Sequence, residues 1–151
     1  MTYKKERGMG MELKIPENFF VGAAMSGPQT EGAYKTGGRL ESIWDTWSDL
    51  SISDFYNKVG SYVGNNFYEK YEDDIKLLKS LHMDSFRTSM QWSRLLTKDG
   101  KLNQEGAQFY HKVCKCAKEN QIELFMSPAF IFVSMSSSFS ILLSFYDCSQ
   151  I

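Results

Sequence analysis

The stretch VGAAMSGPQTEGAY, Val21 to Tyr34, places two polar side chains just behind a run of small residues. Gln29 carries an amide, which can donate one hydrogen bond while accepting another. Glu31 adds a carboxylate two residues later. Small residues let another group approach the backbone closely. A third candidate is Arg87, in DSFRTSMQW. Phe86, Thr88 and Met90 alternate there with Ser85, Arg87, Ser89 and Gln91, as on a strand with one apolar and one polar face. On a solvated edge Arg87 needs no explanation. On an interior strand its charge must meet an anion, and the helices expected on both sides favour the interior.

Other chemistry-bearing residues read more simply as structure. His82 and His111 are isolated, with no metal-ligand spacing around them. Cys114 and Cys116 lie two apart on an expected helix, where they do not face each other. With Cys148 they read as free thiols of a reducing cytoplasm. Glu69, Glu72, Asp73 and Asp74 are the solvated side of a helix. No residue set calls for a metal or a cofactor.

The elements that would carry these residues follow from the pattern. FFVGAAMS, residues 19–26, fits a buried strand. Residues 35–64 read as irregular, with Trp44 and Trp47 expected to pack against the body. Phe67, Tyr71, Ile75 and Leu78 give one apolar face to a helix over 66–82. Asn66 is its expected cap, with Glu69 completing a capping-box variant and Glu72–Lys76 an i,i+4 pair. A strand over 84–90 follows. A helix over 103–119 has Asn103 as cap, Tyr110, Val113 and Ala117 as inner stripe, and Asn120 expected in the left-handed conformation at its end. IELFM, 122–126, is the last strand. Strand, helix, strand, helix, strand is the α/β order with parallel pairing.

The 151 residues suffice for one domain, and a net charge of −1 excludes electrostatic attraction to nucleic acid or acidic membranes. The N-terminus is basic, but no apolar stretch of a secretory signal follows. Residues 1–13 are expected to be disordered or untranslated, since Met9 and Met11 are alternative starts. From Ser127 the character changes. No charged residue stands between Glu123 and Asp147, and seven serines interrupt the apolar run. Residues 127–151 read as a membrane span, a buried strand-loop segment or out-of-frame sequence. The serine block Ser136–Ser138 argues against the span, and the out-of-frame reading is preferred.

The motifs IPENFFVGAAMSGPQTEGAY, IWDTW, FYEKYEDDIKLLKSL, SFRTSMQWSRL, KLNQEGAQFYHKV and IELFM occur in an order that resembles the N-terminal part of glycoside hydrolase family 1. The likeness spans about residues 14–126 and is strongest to bacterial 6-phospho-β-glucosidases and 6-phospho-β-galactosidases. It implies the first two and a half βα units of a (β/α)8 barrel that hydrolyses β-glycosides with retention, without a cofactor. Such a barrel needs about 250 residues. The resemblance makes Gln29 the residue that binds sugar hydroxyls. It makes Arg87 the cation beside a nucleophilic carboxylate, keeping that carboxylate ionised. Glu31 is expected to hold the turn, and Trp92, Ser93 and Arg94 to pack and pair at the strand end. The two catalytic carboxylates, in NEP and ENG motifs, do not occur. ENQ at Glu119–Gln121 ends a helix and is no substitute. SPAF stands where the family has a histidine-containing segment. The implied partner is a small β-glycoside, 6-phosphorylated, in the cytoplasm. The chain itself is expected to be inactive. The rivals are a fragment that binds a membrane or partner through its apolar tail, a β-glucosidase of unphosphorylated sugars, and complementation by a separate C-terminal fragment.

Overall fold

A computed structural model describes residues 2–3, 13–50, 54, 56–60, 62 and 64–129. The readings of Cys148 and of most of the tail lie outside the described residues. A short antiparallel pair joins β1 (Thr2–Tyr3) to β2 (Leu13–Lys14). The body is a parallel sheet of β3 (Gly22–Ala24), β4 (Ser85–Gln91) and β5 (Glu123–Ala129), in that order. Five α-helical segments accompany it: α1 (Gly27–Thr30), α2 (Ile43–Leu50), α3 (Phe67–Ser80), α4 (Trp92–Leu95) and α5 (Gln104–Glu119). The expected α/β order and parallel pairing are therefore present. The sheet is open rather than closed.

Register sets two faces. Ala23, Phe86 and Leu124 form one row across the sheet, and Ala24, Arg87 and Phe125 the next. The first row faces α3 and α5. Between sheet and helices lies the core of Phe67, Ile75, Phe86, Phe109, Tyr110, Val113, Ala117 and Ile122, with Tyr71 and Leu78 packed against it. The apolar stripes read from the helical period are the buried ones. The carboxylates Glu69, Glu72 and Asp73 are exposed, and Glu72 pairs with Lys76 at 3.8 Å.

The helix ends differ from expectation in instructive ways. Asn66 precedes α3, but its backbone is left-handed (φ 58°) and its side chain makes no capping bond. A capping side chain needs extended backbone to reach the next amides. The chain turns left here because Asn65 N–H donates to Thr30 O and Tyr68 N–H to Glu31 O. Asn103 does cap α5, accepting from Glu105 N–H at 3.2 Å. At the far end Asn120 is not left-handed; Gln121 is (φ 57°). Ile122 N–H then reaches Ala117 O and Gln121 N–H reaches Lys118 O, a Schellman closure. The same closure ends α3 through left-handed His82 (φ 58°), with Met83 N–H on Leu78 O. His82 occupies a position that tolerates few residue types.

Residues 35–64 are not irregular throughout. Ser42 and Asp45 start α2: the Asp45 carboxylate accepts from Ser42 N–H and Oγ–H, both at 2.7 Å. That serine-x-x-acid spacing is a capping-box signal in the sequence. The orientation of α2 also overturns an expectation. Asp45 and Ser48 are buried, while Trp44 and Trp47 stay 41% and 46% exposed, edge to face at 5.6 Å. The polar side turns inward because Asp45 has a buried cation to meet, described below. β5 runs to Ala129, past the predicted end at 126, and Pro128 is tolerated there because no described strand pairs with its outer edge.

Candidate active-site face

Gln29 lies in α1, the single helical turn that leaves the C-terminal end of β3. Pro28 sits in its first positions, where a missing N–H costs nothing. Gly27 starts it because there is no room for a side chain: a Cβ would come within 2.7 Å of Ser89 O and 2.9 Å of a Glu31 carboxylate oxygen. Gly27 N–H donates to Ser89 Oγ at 2.9 Å, tying the turn to β4. Thr30 Oγ–H donates to Ser26 O at 2.7 Å, and Gln29 N–H to Ser26 O at 3.1 Å. The Gln29 side chain is exposed, on backbone fixed at both ends.

Glu31 is the centre of a buried polar hub. Its Oε2 accepts from Arg94 Nε–H at 2.8 Å and from Gln91 Nε2–H at 2.7 Å. Its Oε1 accepts from the Tyr110 hydroxyl at 2.7 Å. The residue is 1% exposed and Arg94 is fully buried. Each of the other two Arg94 nitrogens has a partner, Nη2–H donating to Gly32 O and Nη1–H to Thr36 O, and the guanidinium lies 4.2 Å from the Tyr68 ring centre. This burial is affordable only because nearly every donor and acceptor is met. Asn103 closes the arrangement with its side-chain amide on Gly37 O and Arg94 O.

Gln91 extends the hub to α2. Its Oε1 accepts from Arg39 at 3.2 Å, and Arg39 pairs with Asp45 at 2.9 Å. The loop that carries Gln29 and the helix that carries the tryptophans thus meet at one amide. The polar roles of Gln91, Arg39 and Asp45, and of the hydroxyl of Tyr110, which the helical period had placed on the inner stripe, escaped the sequence reading. Buried polar residues at helix and strand ends look in sequence like solvated ones. The hints were that Gln91 shares the polar side of the strand with Arg87, that Asp45 completes a serine-x-x-acid spacing with Ser42, and that Tyr110 lies on the inner stripe of its helix.

Trp92 is half-buried at the mouth of a shallow cleft formed with Pro28, Ser42, Trp44 and Met90. Arg87 departs from expectation. It projects from the middle strand yet is exposed, and no described residue supplies it an anion. The reason is geometric: its row, Ala24–Arg87–Phe125, lies on the sheet face that the described helices do not cover.

Burial and the Glu31 carboxylate push the Tyr110 hydroxyl well above its ordinary value, with burial the larger cause. Tyr71, mainly through burial and then through Glu72, is pushed up to about 12. A raised folded-state value means the unfolded chain gives up protons first. The stability these tyrosines contribute is whole below about pH 10 and is lost as pH rises beyond it. We expect tyrosinate absorbance at 295 nm to show a late group that titrates only with loss of the folded near-ultraviolet dichroism. Complete titration near pH 10 with the fold intact would contradict this.

Comparison with known proteins identifies the frame. The glycosyl hydrolase family 1 profile matches residues 11–128. The 6-phospho-β-glucosidase GmuD of Bacillus subtilis (strain 168) is 36% identical over 117 residues, covering 77% of this chain and 25% of the relative. Beta-glucosidase 32 of Arabidopsis thaliana is 42% identical over 117 residues, covering 75% and 22%. The structure of the GH1 β-glucosidase from Exiguobacterium antarcticum B7 superposes with a TM-score of 0.73 at 34% identity, over 78% of this chain and 26% of that one. The chain thus spans about a quarter of the length of the curated relatives it matches. Its open sheet is part of the (β/α)8 barrel of those enzymes, and the chain belongs to glycosyl hydrolase family 1.

Proposed function

We propose that this chain supplies the first wall of a retaining β-glycosidase that acts on 6-phospho-β-glucosides in the cytoplasm, in carbohydrate catabolism. The observation that carries the reading is the placement of Gln29. Its amide stands exposed just past a strand's C-terminal end, on a turn pinned by Ser26 and Ser89. That is the end of a barrel where substrates bind. The amide would donate to one sugar hydroxyl and accept from a neighbour. Arg87 is exposed on the middle strand and would hold a partner carboxylate in its charged form. Glu31, Trp92 and Arg94 hold the turn and the strand end rather than the sugar. Glu31 accepts from three side-chain donors and is buried, so it is engaged inside the turn rather than offered to a sugar.

Retention requires two carboxylates about 5–5.5 Å apart. The chain has no such pair in NEP or ENG motifs, so the 151 residues alone should not turn over. The test is an assay of the purified chain with a chromogenic aryl 6-phospho-β-glucoside. We expect no release above the uncatalysed rate, and turnover above it would overturn this part of the reading. A second reading, hydrolysis of unphosphorylated β-glucosides, is favoured by the 42% identity to the plant relative against 36% to the phospho-enzyme. Assaying the complete barrel with both sugars separates the two. Preference for the free glucoside would select the second.

A further inference from the structure

We propose that Ser89 and Gln91 are positioning residues for Gln29: they grip the two ends of the turn that presents its amide. This rests on the reading of Gln29 as a sugar ligand.

The turn cannot place itself. It is the single helical turn Gly27–Thr30, and Ser26 before it makes no side-chain cap. One turn fixes several dihedrals for very few bonds, so alone it does not persist. Its position must come from what it touches. Two buried side chains reach it from β4, Ser89 and Gln91, which stand two apart and so on one face of the strand. At the leading end Gly27 N–H donates to Ser89 Oγ at 2.9 Å. At the trailing end Gln91 Nε2–H donates to Glu31 Oε2 at 2.7 Å. The spacings agree, since four residues of helix rise about 6 Å and two of a strand about 6.6 Å. The contact is also close. A Cβ on Gly27 would meet Ser89 O at 2.7 Å and Gln91 Cγ at 2.9 Å. Gln29 stands exposed between the two grips.

Gln91 fixes direction as well as distance. Its Nε2–H donates to Glu31 while its Oε1 accepts from Arg39 at 3.2 Å. Its backbone N–H donates to the Tyr110 hydroxyl, which donates to Glu31 Oε1, so a ring closes through one carboxylate. A reversed amide would set its oxygen against Glu31 and its NH2 group against Arg39. Removing this side chain leaves Glu31 with Arg94 and Tyr110. The buried ion pair survives, and what is released is the hold of β4 on the turn.

Ser89→Ala and Gln91→Met test this in two arms. In the 151-residue chain, hydrogen exchange followed by mass spectrometry reads the turn. We expect peptides covering residues 27–31 to exchange about tenfold faster in each variant, as for a local opening, with α5 unchanged. Unchanged exchange in the turn overturns the proposal. So does equal acceleration in α5, which would mark both residues as general supports of the core. The second arm uses a complete barrel, in which residues 11–128 replace the matched segment of the Bacillus subtilis relative. The graft is taken in a form that hydrolyses an aryl β-glucoside, phosphorylated or free. Each variant should lower kcat/KM by about tenfold, as for a slightly displaced binding group. In a Gln29→Ala background the same substitutions should add little, because the group they position is gone. Full additivity there overturns the proposal. If Gln29→Ala itself leaves kcat/KM unchanged, the sugar-ligand reading fails, and the exchange arm still decides the grip on the turn.

Discussion

Arg94→Ala is expected to cost the folded chain about 3–5 kcal/mol, the scale for breaking a buried ion pair from one side. Domains hold about 5–15 kcal/mol in all, so most of the fold is at stake. The physical reason is what the substitution leaves behind. Glu31 keeps its carboxylate, buried to 1% exposure, but loses the Arg94 bond at 2.8 Å. The carbonyls of Gly32 and Thr36 lose their donor, and the Tyr68 ring loses the cation stacked over it. Lysine cannot rescue the site, because a point ammonium lacks the planar fork that reaches Glu31, Gly32 and Thr36 together. The double variant Glu31→Gln with Arg94→Met should be less damaged than the two single losses added, since it removes the stranded charge as well. Urea unfolding followed by tryptophan fluorescence reads these effects. A loss below about 1 kcal/mol for Arg94→Ala would mean that the hub does not hold the fold.

Gly106→Ala should also destabilise, against the usual sign. In a helix interior alanine normally gains about 1 kcal/mol over glycine. Here a Cβ would lie 2.0 Å from Arg94 O and 2.9 Å from Arg94 C. Those are backbone atoms and cannot swing aside. The helix α5 would have to move off α4, and the Asn103 amide bond to Arg94 O at 2.9 Å would strain with it. We expect a net loss of about 2 kcal/mol, within the range for overpacked cores. Exposed Lys112→Ala on the same helix serves as the control and should stay near zero. A stabilised Gly106→Ala would show that α4 and α5 are not in the contact described.

These two positions also mark where the sequence stops being informative. Much of the frame depends on neighbours in the chain, and that part could be read directly. Phe67, Tyr71, Ile75 and Leu78 repeat at helical spacing because a helix that buries one face must repeat so. Phe86 and Thr88 alternate with Ser85 and Arg87 because a strand must. The ordered motifs from Ile15 to Met126 were enough for the family. The hub could not be read. Glu31 meets Gln91, Arg94 and Tyr110 across 60, 63 and 79 residues of chain, and no local spacing encodes such meetings. The inward turn of Asp45 follows from Arg39, which Gln91 in turn ties to Glu31.

The sequence by itself determined the helices with their apolar stripes, the parallel α/β order, and the glutamine in the turn that follows β3. Those depend on period, on capping and on motif order. Only the tertiary structure decided which polar groups are buried together, which face of α2 looks outward, and that Arg87 stands on an uncovered sheet face. Each of these depends on which distant segments share a volume. Burial forces polar groups in that volume to find one another, and leaves exposed the surfaces that no described segment reaches.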